Sequence, residues 1–257
     1  MALGISTACF YPVPTEEALL EVAKTGAKVT EVFFNSPSEL EQSFLKELFK
    51  IKEENGIRVK SLHPFSSFAE GYKLFSHYER RFRDYREFYK RYYEAAAYLG
   101  ADVVVLHGAK LPFEFTDMYI QRFGIMVEDA EQFGVKLAQE NVVHYYGQNP
   151  EMMDAIRGAL GEKFHMVFDI KQSVRAGCSL YDFIDEFAKN ICHIHISDYR
   201  SDHDCIPPGE GEFDFKKFFE TMREKGYNGD YTIELYRSGF KDIDQLIKSF
   251  DSIKDFA

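Results

Sequence analysis

The sequence predicts a single closed (β/α)8 barrel of the α/β class. Three observations lead there. Eight short apolar runs rich in β-branched residues recur along the chain. Segments with apolar residues at helical spacing alternate with them. No linker or low-complexity stretch divides the 257 residues, so one domain over 1–257 is expected. Alternating βα units imply a parallel sheet, and eight of them at this length imply closure. An open doubly wound sheet is the alternative. It is weakened because no GxGxxG follows the first strand.

The strands are predicted, in order, at "LGISTACF" (3–10), "KVTEVFF" (28–34), "IRVKSLHPF" (57–65) and "ADVVVLHGA" (101–109). They continue at "VKLAQENVV" (135–143), "FHMVFDI" (164–170), "ICHIHISD" (191–198) and "DYTIELY" (230–236). The first helix, "TEEALLEVAKTG", has a Thr in the N-cap position, acids in its first turn and a closing glycine. The second, within "SPSELEQSFLKELFKIKEENG", sets Leu40, Phe44, Leu48 and Ile51 on one face and stops at Gly56. A third runs from about His77 to Leu99, with Gly100 as its stop. Its aromatics and six basic residues could suggest nucleic acid. Four acids share the segment, with Glu79–Arg83 and Glu87–Arg91 at i,i+4, so a solvated outer helix is the better reading. Further helices fit 116–133, 150–160, 180–189, 214–225 and 241–254.

The net charge of −11 argues against nucleic acid or an anionic membrane as a partner. The four cysteines are scattered without a CxxC pair and read as reduced thiols in a cytoplasmic protein. Pro12 and Pro14 break the opening apolar run, so neither a signal peptide nor a membrane span is expected.

Polar residues close nearly every later strand. His63 ends the third, His107 the fourth, Glu140 the fifth, Asp169 the sixth, His195 the seventh and Glu234 the eighth. In a parallel barrel these ends converge on one mouth. One strand histidine alone reads as a hydrogen-bonded core residue, and one strand-end carboxylate as a helix cap. Six at matching positions need a common cause. Buried carboxylates repel one another unless a cation compensates them. Glu140, Asp169, His195 and Glu234 are therefore the expected ligands of a divalent metal. His63 and His107 either bind a second metal or line the pocket toward substrate. His193, two residues deeper than His195 on the same face, reads as a supporting or core residue.

With these motifs in place the whole chain resembles the xylose-isomerase-like TIM barrels. That superfamily holds sugar epimerases, inosose isomerases and dehydratases, and endonuclease IV. The matching elements are "LAQEN", "VFDIKQ", "HIHISD", "PPGEGEFDF" and "YTIELY". The resemblance implies one divalent metal on Glu140, Asp169, His195 and Glu234, and acid–base roles for Glu140 and Glu234. It also has departures. Gln172 stands where the epimerases and endonuclease IV carry a histidine. "DHDCIPPGEG" keeps His203 but not the Asp-x-His pair of endonuclease IV, so that enzyme's third metal site looks lost. His63, His107 and Glu140 match another of its metal positions.

Three carboxylates and an imidazole suit Mn2+, Mg2+ or Co2+, with Zn2+ open to them. The expected activity is a metal-dependent sugar or polyol isomerisation or epimerisation. A metal-dependent phosphodiesterase of the endonuclease IV kind and a non-catalytic sugar-binding relative are the alternatives. Lys171, Gln172, Arg200, Tyr236 and Arg237 follow the sixth, seventh and eighth strands and are candidates for holding substrate. "PFSSFAEGYKLF" reads as a lid. The sequence leaves homo-oligomerisation open.

Overall fold

The computed structural model describes residues 1–112 and 115–257, leaving aside the side chains of Ser66 and Ser67. Eight parallel strands close into the expected barrel. In chain order they are β1 (Leu3–Ser6), β2 (Val29–Phe33), β3 (Arg58–His63), β4 (Val103–Leu106), β5 (Lys136–Glu140), β6 (His165–Asp169), β7 (Ile191–Ile196) and, after a hairpin, β10 (Tyr231–Ile233). Strand β10 pairs with both β7 and β1 and so completes the ring. The hairpin, β8 (Asp198–Arg200) with β9 (His203–Ile206), was not expected from the sequence.

The helices include α1 (Thr15–Lys24), α2 (Gln42–Asn55), α4 (Glu79–Leu99) and α5 (Thr116–Glu131), with a short α3 (Glu70–Lys73) between α2 and α4. After them come α6 (Pro150–Leu160), α7 (Ile170–Ala176), α8 (Leu180–Phe187), α9 (Phe215–Glu224) and α10 (Ile243–Ile253). Most boundaries lie within a few residues of the sequence reading; α3 and α7 are additions. Gly56 and Gly100 end α2 and α4 in the left-handed conformation, at φ 61° and 76°. The N-termini of α6, α8, α9 and α10 are capped by the side chains of Asn149, Ser179, Asp214 and Asp242.

Some local expectations fail. Thr15 is not a cap: its hydroxyl reaches Phe33 O and Glu39, and Pro14 holds the cap position. A 3-10 turn over Pro37–Leu40 precedes α2, whose buried face is Leu45, Leu48 and Ile51, with Phe44 half-buried. On α4 the i,i+4 pairs do not form. Arg91 binds Glu41 across to the preceding turn, Glu87 takes Lys90, and Glu79 takes Arg122. Two longer-range partners and one i,i+3 partner replace exposed i,i+4 pairs that are worth only about 0.3–0.5 kcal/mol. The inner face of α4 is aromatic as expected, with Phe82, Tyr89, Tyr92 and Tyr93 buried.

Alternate strand residues point into the barrel. Val103, Val105, Ala138 and Val167 pack there as a small apolar cluster of their own. One step toward the C-terminal ends the interior becomes polar, and there the candidate ligands gather.

Candidate metal centre

The strands bring Glu140, Asp169, His195 and Glu234 together. Asp169 on β6 sits beside His195 on β7, and Thr232 of β10 flanks His195 on its other side, two residues before Glu234. One ligand atom from each of the four lies within 4.8 Å of the others. His195 Nδ1 stands 3.6 Å from Glu140 Oε1, 3.6 Å from Asp169 Oδ2 and 3.5 Å from Glu234 Oε2. Ligands about 2.0–2.2 Å from a tetrahedral ion lie about 3.3–3.6 Å apart, so these distances match the spacing that metal ligands need.

The unmet needs of the buried atoms say the same. His195 Nδ1 and Glu140 Oε2 are buried without a hydrogen-bond partner. Burial would raise the Glu140 pKa, yet the neighbouring His107, His195 and His63 hold it well below the usual carboxylate range. Burial would lower the His195 pKa, and the field of Glu31 and Glu234, with the carboxylates of Asp169 and Glu140 close by, pushes it well up. A field that holds a proton on His195 Nδ1 attracts a cation to the same place. The residues fit a divalent metal.

A second group shares Glu140. His63 Nε2 lies 3.1 Å from His107 Nε2, and Glu140 Oε2 lies 2.9 Å from His107 and 3.8 Å from His63. His63 Nδ1 lies 3.2 Å from Pro64 O, an arrangement that would leave Nε2 as the nitrogen to face an ion. Burial alone would lower the His63 pKa. The Glu140 carboxylate, as a hydrogen-bond acceptor, and the charges of Glu31 and Glu234 bring it up to about 9.

The sequence reading missed Glu31. It lies on β2, fully buried, one layer beneath the mouth. Its Oε2 is 2.9 Å from His195 Nε2 and accepts from the Ser61 hydroxyl at 2.7 Å, while Ser6 reaches Oε1 at 3.2 Å. His193, 3.7 Å from that Oε2, bonds Ser61 through Nε2 and takes the supporting place expected of it. Glu31, His193 and His195 form a third group of metal-ligand type. Its hydrogen bonds to two serines make it a scaffold for His195. Mid-strand in "KVTEVFF", Glu31 looks like the solvent-facing residue of an alternating strand. The available signal was that parallel barrel strands are buried on both faces and offer an ionised side chain no exit.

A cavity of about 690 Å3 opens above these groups, lined by His63, His107, Glu140, Lys171, Gln172 and Glu234 among others. Lys171 is buried, and its ammonium bonds both Asp169 Oδ2 and Glu234 Oε2. Gln172 accepts from Val143 N through Oε1 at 3.1 Å, which turns its amide nitrogen elsewhere. Tyr236 lines the mouth with its hydroxyl on Arg175. Arg237 also lines it, but its guanidinium bonds the Phe240 and Lys241 carbonyls of its own loop. Arg200 is a correction. It is exposed on the β8–β9 hairpin, binds the Glu210 carbonyl and is not among the lining residues. His203 belongs to none of the ligand groups among the described residues.

The segment read as a lid borders the cavity at one end and is anchored at the other. Phe65 and Phe68 line the cavity, and Phe68 is 76% exposed. Beyond them Glu70 is buried and accepts from Gly108 N at 2.6 Å and from the Tyr89 hydroxyl. This fastens the segment to the residue after His107. Gly108 has φ +83°, and a Cβ there would meet the Tyr119 hydroxyl at 2.0 Å, so only glycine serves.

No helix among the described residues is long and apolar enough to cross a membrane. The four cysteines carry no disulfide.

Comparison with known proteins bears on the fold and the family. An inosose dehydratase of Clostridium botulinum (strain Alaska E43 / Type E3) is 23% identical, over 94% of this chain and 89% of the relative. A D-tagatose 3-epimerase-like protein superposes with a TM-score of 0.84 at 23% identity, covering 100% of this chain and 97% of the other. The IOLI protein with a bound zinc atom superposes with a TM-score of 0.79 at 18% identity, covering 100% and 99%. These two structural likenesses show the fold. The model of one family matches residues 19–256. The chain belongs to the xylose isomerase-like TIM barrel family.

Proposed function

We propose that this protein is a divalent-metal-dependent isomerase or epimerase of a sugar or polyol. One observation carries the reading: Glu140 and Glu234 both belong to the four-ligand cluster and both line the cavity. Two carboxylates are thus available to a substrate bound against the metal ligands. Relatives that act on inososes and fold neighbours named as sugar epimerases support the substrate class.

The ligands would be Glu140, Asp169, His195 and Glu234, with His63, His107 and Glu140 a candidate second position. Mn2+, Mg2+, Co2+ and Zn2+ all match such donors. When bound, the ion would polarise a carbonyl and the adjacent hydroxyl and stabilise the ene-diolate left by proton loss. Glu140, entering from β5, and Glu234, following β10, would take the proton from the carbon alpha to the carbonyl and return it. Lys171, Gln172, Tyr236 and Arg237 surround the space for the remaining hydroxyls. Phe65 and Phe68 would exclude water from above.

The test is a screen of ketoses, inososes and their phosphates in D2O by proton NMR, with each ion supplied in turn. Deuterium should enter at the carbon alpha to the carbonyl. If no substrate exchanges in fully metallated protein, the non-catalytic sugar-binding reading replaces this one.

A further inference from the structure

Lys171 is the buried cation that shares carboxylate oxygens with the candidate metal ligands. It enters from the first turn of α7, two residues after Asp169. Asp169 uses one oxygen, Oδ1, to cap that helix by accepting from Gln172 N at 3.1 Å. Its other oxygen, Oδ2, accepts from Lys171 Nζ, as does Glu234 Oε2. These are the same two oxygens that stand 3.6 and 3.5 Å from His195 Nδ1. A tethered ammonium and a divalent ion therefore address the same pair of atoms.

The consequence follows from charge. Asp169, Glu234 and Glu140 crowd one buried region, and the ammonium offsets two of the three directly. A divalent ion bound to those oxygens would sit within a few ångströms of a positive charge that has little water to screen it. Lys171 lines the cavity, so its flexible stem has space to withdraw into.

Resting on the assignment of Glu140, Asp169, His195 and Glu234 as the metal centre, we propose that Lys171 is an internal competitor for the metal. It holds Asp169 Oδ2 and Glu234 Oε2 as a salt bridge in the metal-free protein. Loading exchanges the ammonium for the ion and moves Lys171 toward the cavity. The chain thereby keeps its carboxylates compensated at all times, at the expense of affinity for the ion. Lys171 acts through the ligands and is a positioning residue.

The experiment compares the wild type with Lys171→Met and Lys171→Gln, using MnCl2 as the probe. Removing the ammonium should tighten Mn2+ binding roughly 10- to 100-fold in calorimetric titration, the usual scale for a neighbour of metal ligands. The melting temperature of metal-free Lys171→Met should fall by roughly 6–20 °C, as for breaking a buried ion pair. Saturating Mn2+ should then raise that melting temperature more than it raises the wild type's. A merely structural lysine would give the fall without the tighter binding. Should neither variant fold, the wild type still decides: lysine 13Cε NMR during titration with Zn2+ should show one lysine signal shifting until the site is full. Equal Mn2+ affinity in variants and wild type, or lysine signals that stay still at saturation, overturns the competition and leaves the metal centre standing. Binding by the variants alone supports the competition and removes metal dependence from the native chain. Binding by none of the three proteins overturns the metal centre and the competition together.

Discussion

Glu31 Oε2 lies 2.9 Å from His195 Nε2, and it holds that ring so that Nδ1 faces Glu140, Asp169 and Glu234. A carboxylate behind a histidine fixes the tautomer and strengthens the outward nitrogen as a ligand. Burial would raise the Glu31 pKa, but the charge and hydrogen bond of His195, with His63 and His193 nearby, hold it far below the usual range. Glu31→Gln keeps the shape and removes the charge. It should weaken divalent-metal binding by roughly 10- to 100-fold. Calorimetric titration of the folded variant checks this, with circular dichroism confirming the fold. Unchanged affinity would make Glu31 a packing residue only.

The site was legible in the sequence where a physical rule forced a residue to the mouth. His63, Glu140 and Asp169 end barrel strands, His195 is the last residue but one of β7, and His107 and Glu234 follow a strand at the first residue beyond. The strand-end rule needs only the strand's position. What lay deeper or beyond was not legible. Glu31 sits mid-strand, where period-2 reading assigns polar residues to solvent. Lys171 was read as a loop donor to substrate, because nothing in "DIKQ" tells that the chain turns directly into α7 and folds the side chain back over Asp169. Arg200 falls on a hairpin that the sequence reading did not foresee, where the Glu210 carbonyl takes its guanidinium.

The buried histidines titrate in opposite directions, which predicts the pH dependence of the metal-free protein. Burial pushes His193 down to about 3, aided by the charge of His195, while His63 stands at about 9. Between pH 3 and the ordinary histidine value, near 6.5, the unfolded chain carries a proton that folded His193 lacks. Stability therefore rises with pH there. From near 6.5 up to about 9 the folded chain carries a proton on His63 that the unfolded chain has lost, so stability falls. Each histidine contributes at most roughly 1.4 kcal/mol per pH unit, and His195, also pushed well up, adds to the alkaline fall. Denaturant unfolding across this range should show a maximum near pH 6.5. His193→Gln should flatten the acid side, and an ion on His63 and His107 should flatten the alkaline side. A monotonic profile in metal-free protein would contradict both histidine assignments.

The trio of His63, His107 and Glu140 is the feature that keeps a phosphodiesterase reading alive. Against it stand Gln172, the position of His203 outside every ligand group among the described residues, and a net charge of −11. A net-acidic surface releases few counterions from a duplex. The protein should leave an abasic-site duplex uncut and bind it negligibly at physiological salt. A gel assay with each divalent ion reads this out. Efficient cleavage that disappears in His107→Ala would place phosphodiester hydrolysis ahead of sugar chemistry.

Proton transfer gives the sharpest separation between a ligand and a catalyst. Glu140 is nearly inaccessible and well below the usual carboxylate range, whereas Glu234 is also depressed but is held by Lys171, the largest influence after burial itself. Lys171 draws basicity from Glu234, and the histidines draw it from Glu140, so neither is a strong base until a substrate displaces these partners. Glu140→Gln leaves an oxygen toward the site and removes the proton acceptor. With metal occupancy measured and matched to the wild type, it should cut solvent-deuterium exchange at the carbon alpha to the carbonyl by roughly two to four orders of magnitude, the range for one general acid–base group. Glu234→Gln should do the same for the opposite direction of transfer and also loosen the metal, since it removes a negative ligand at the centre. Proton NMR of substrate in D2O follows both variants. If Glu140→Gln exchanges at the wild-type rate with its metal in place, Glu140 is a ligand alone and the base must be sought among the other groups that line the cavity.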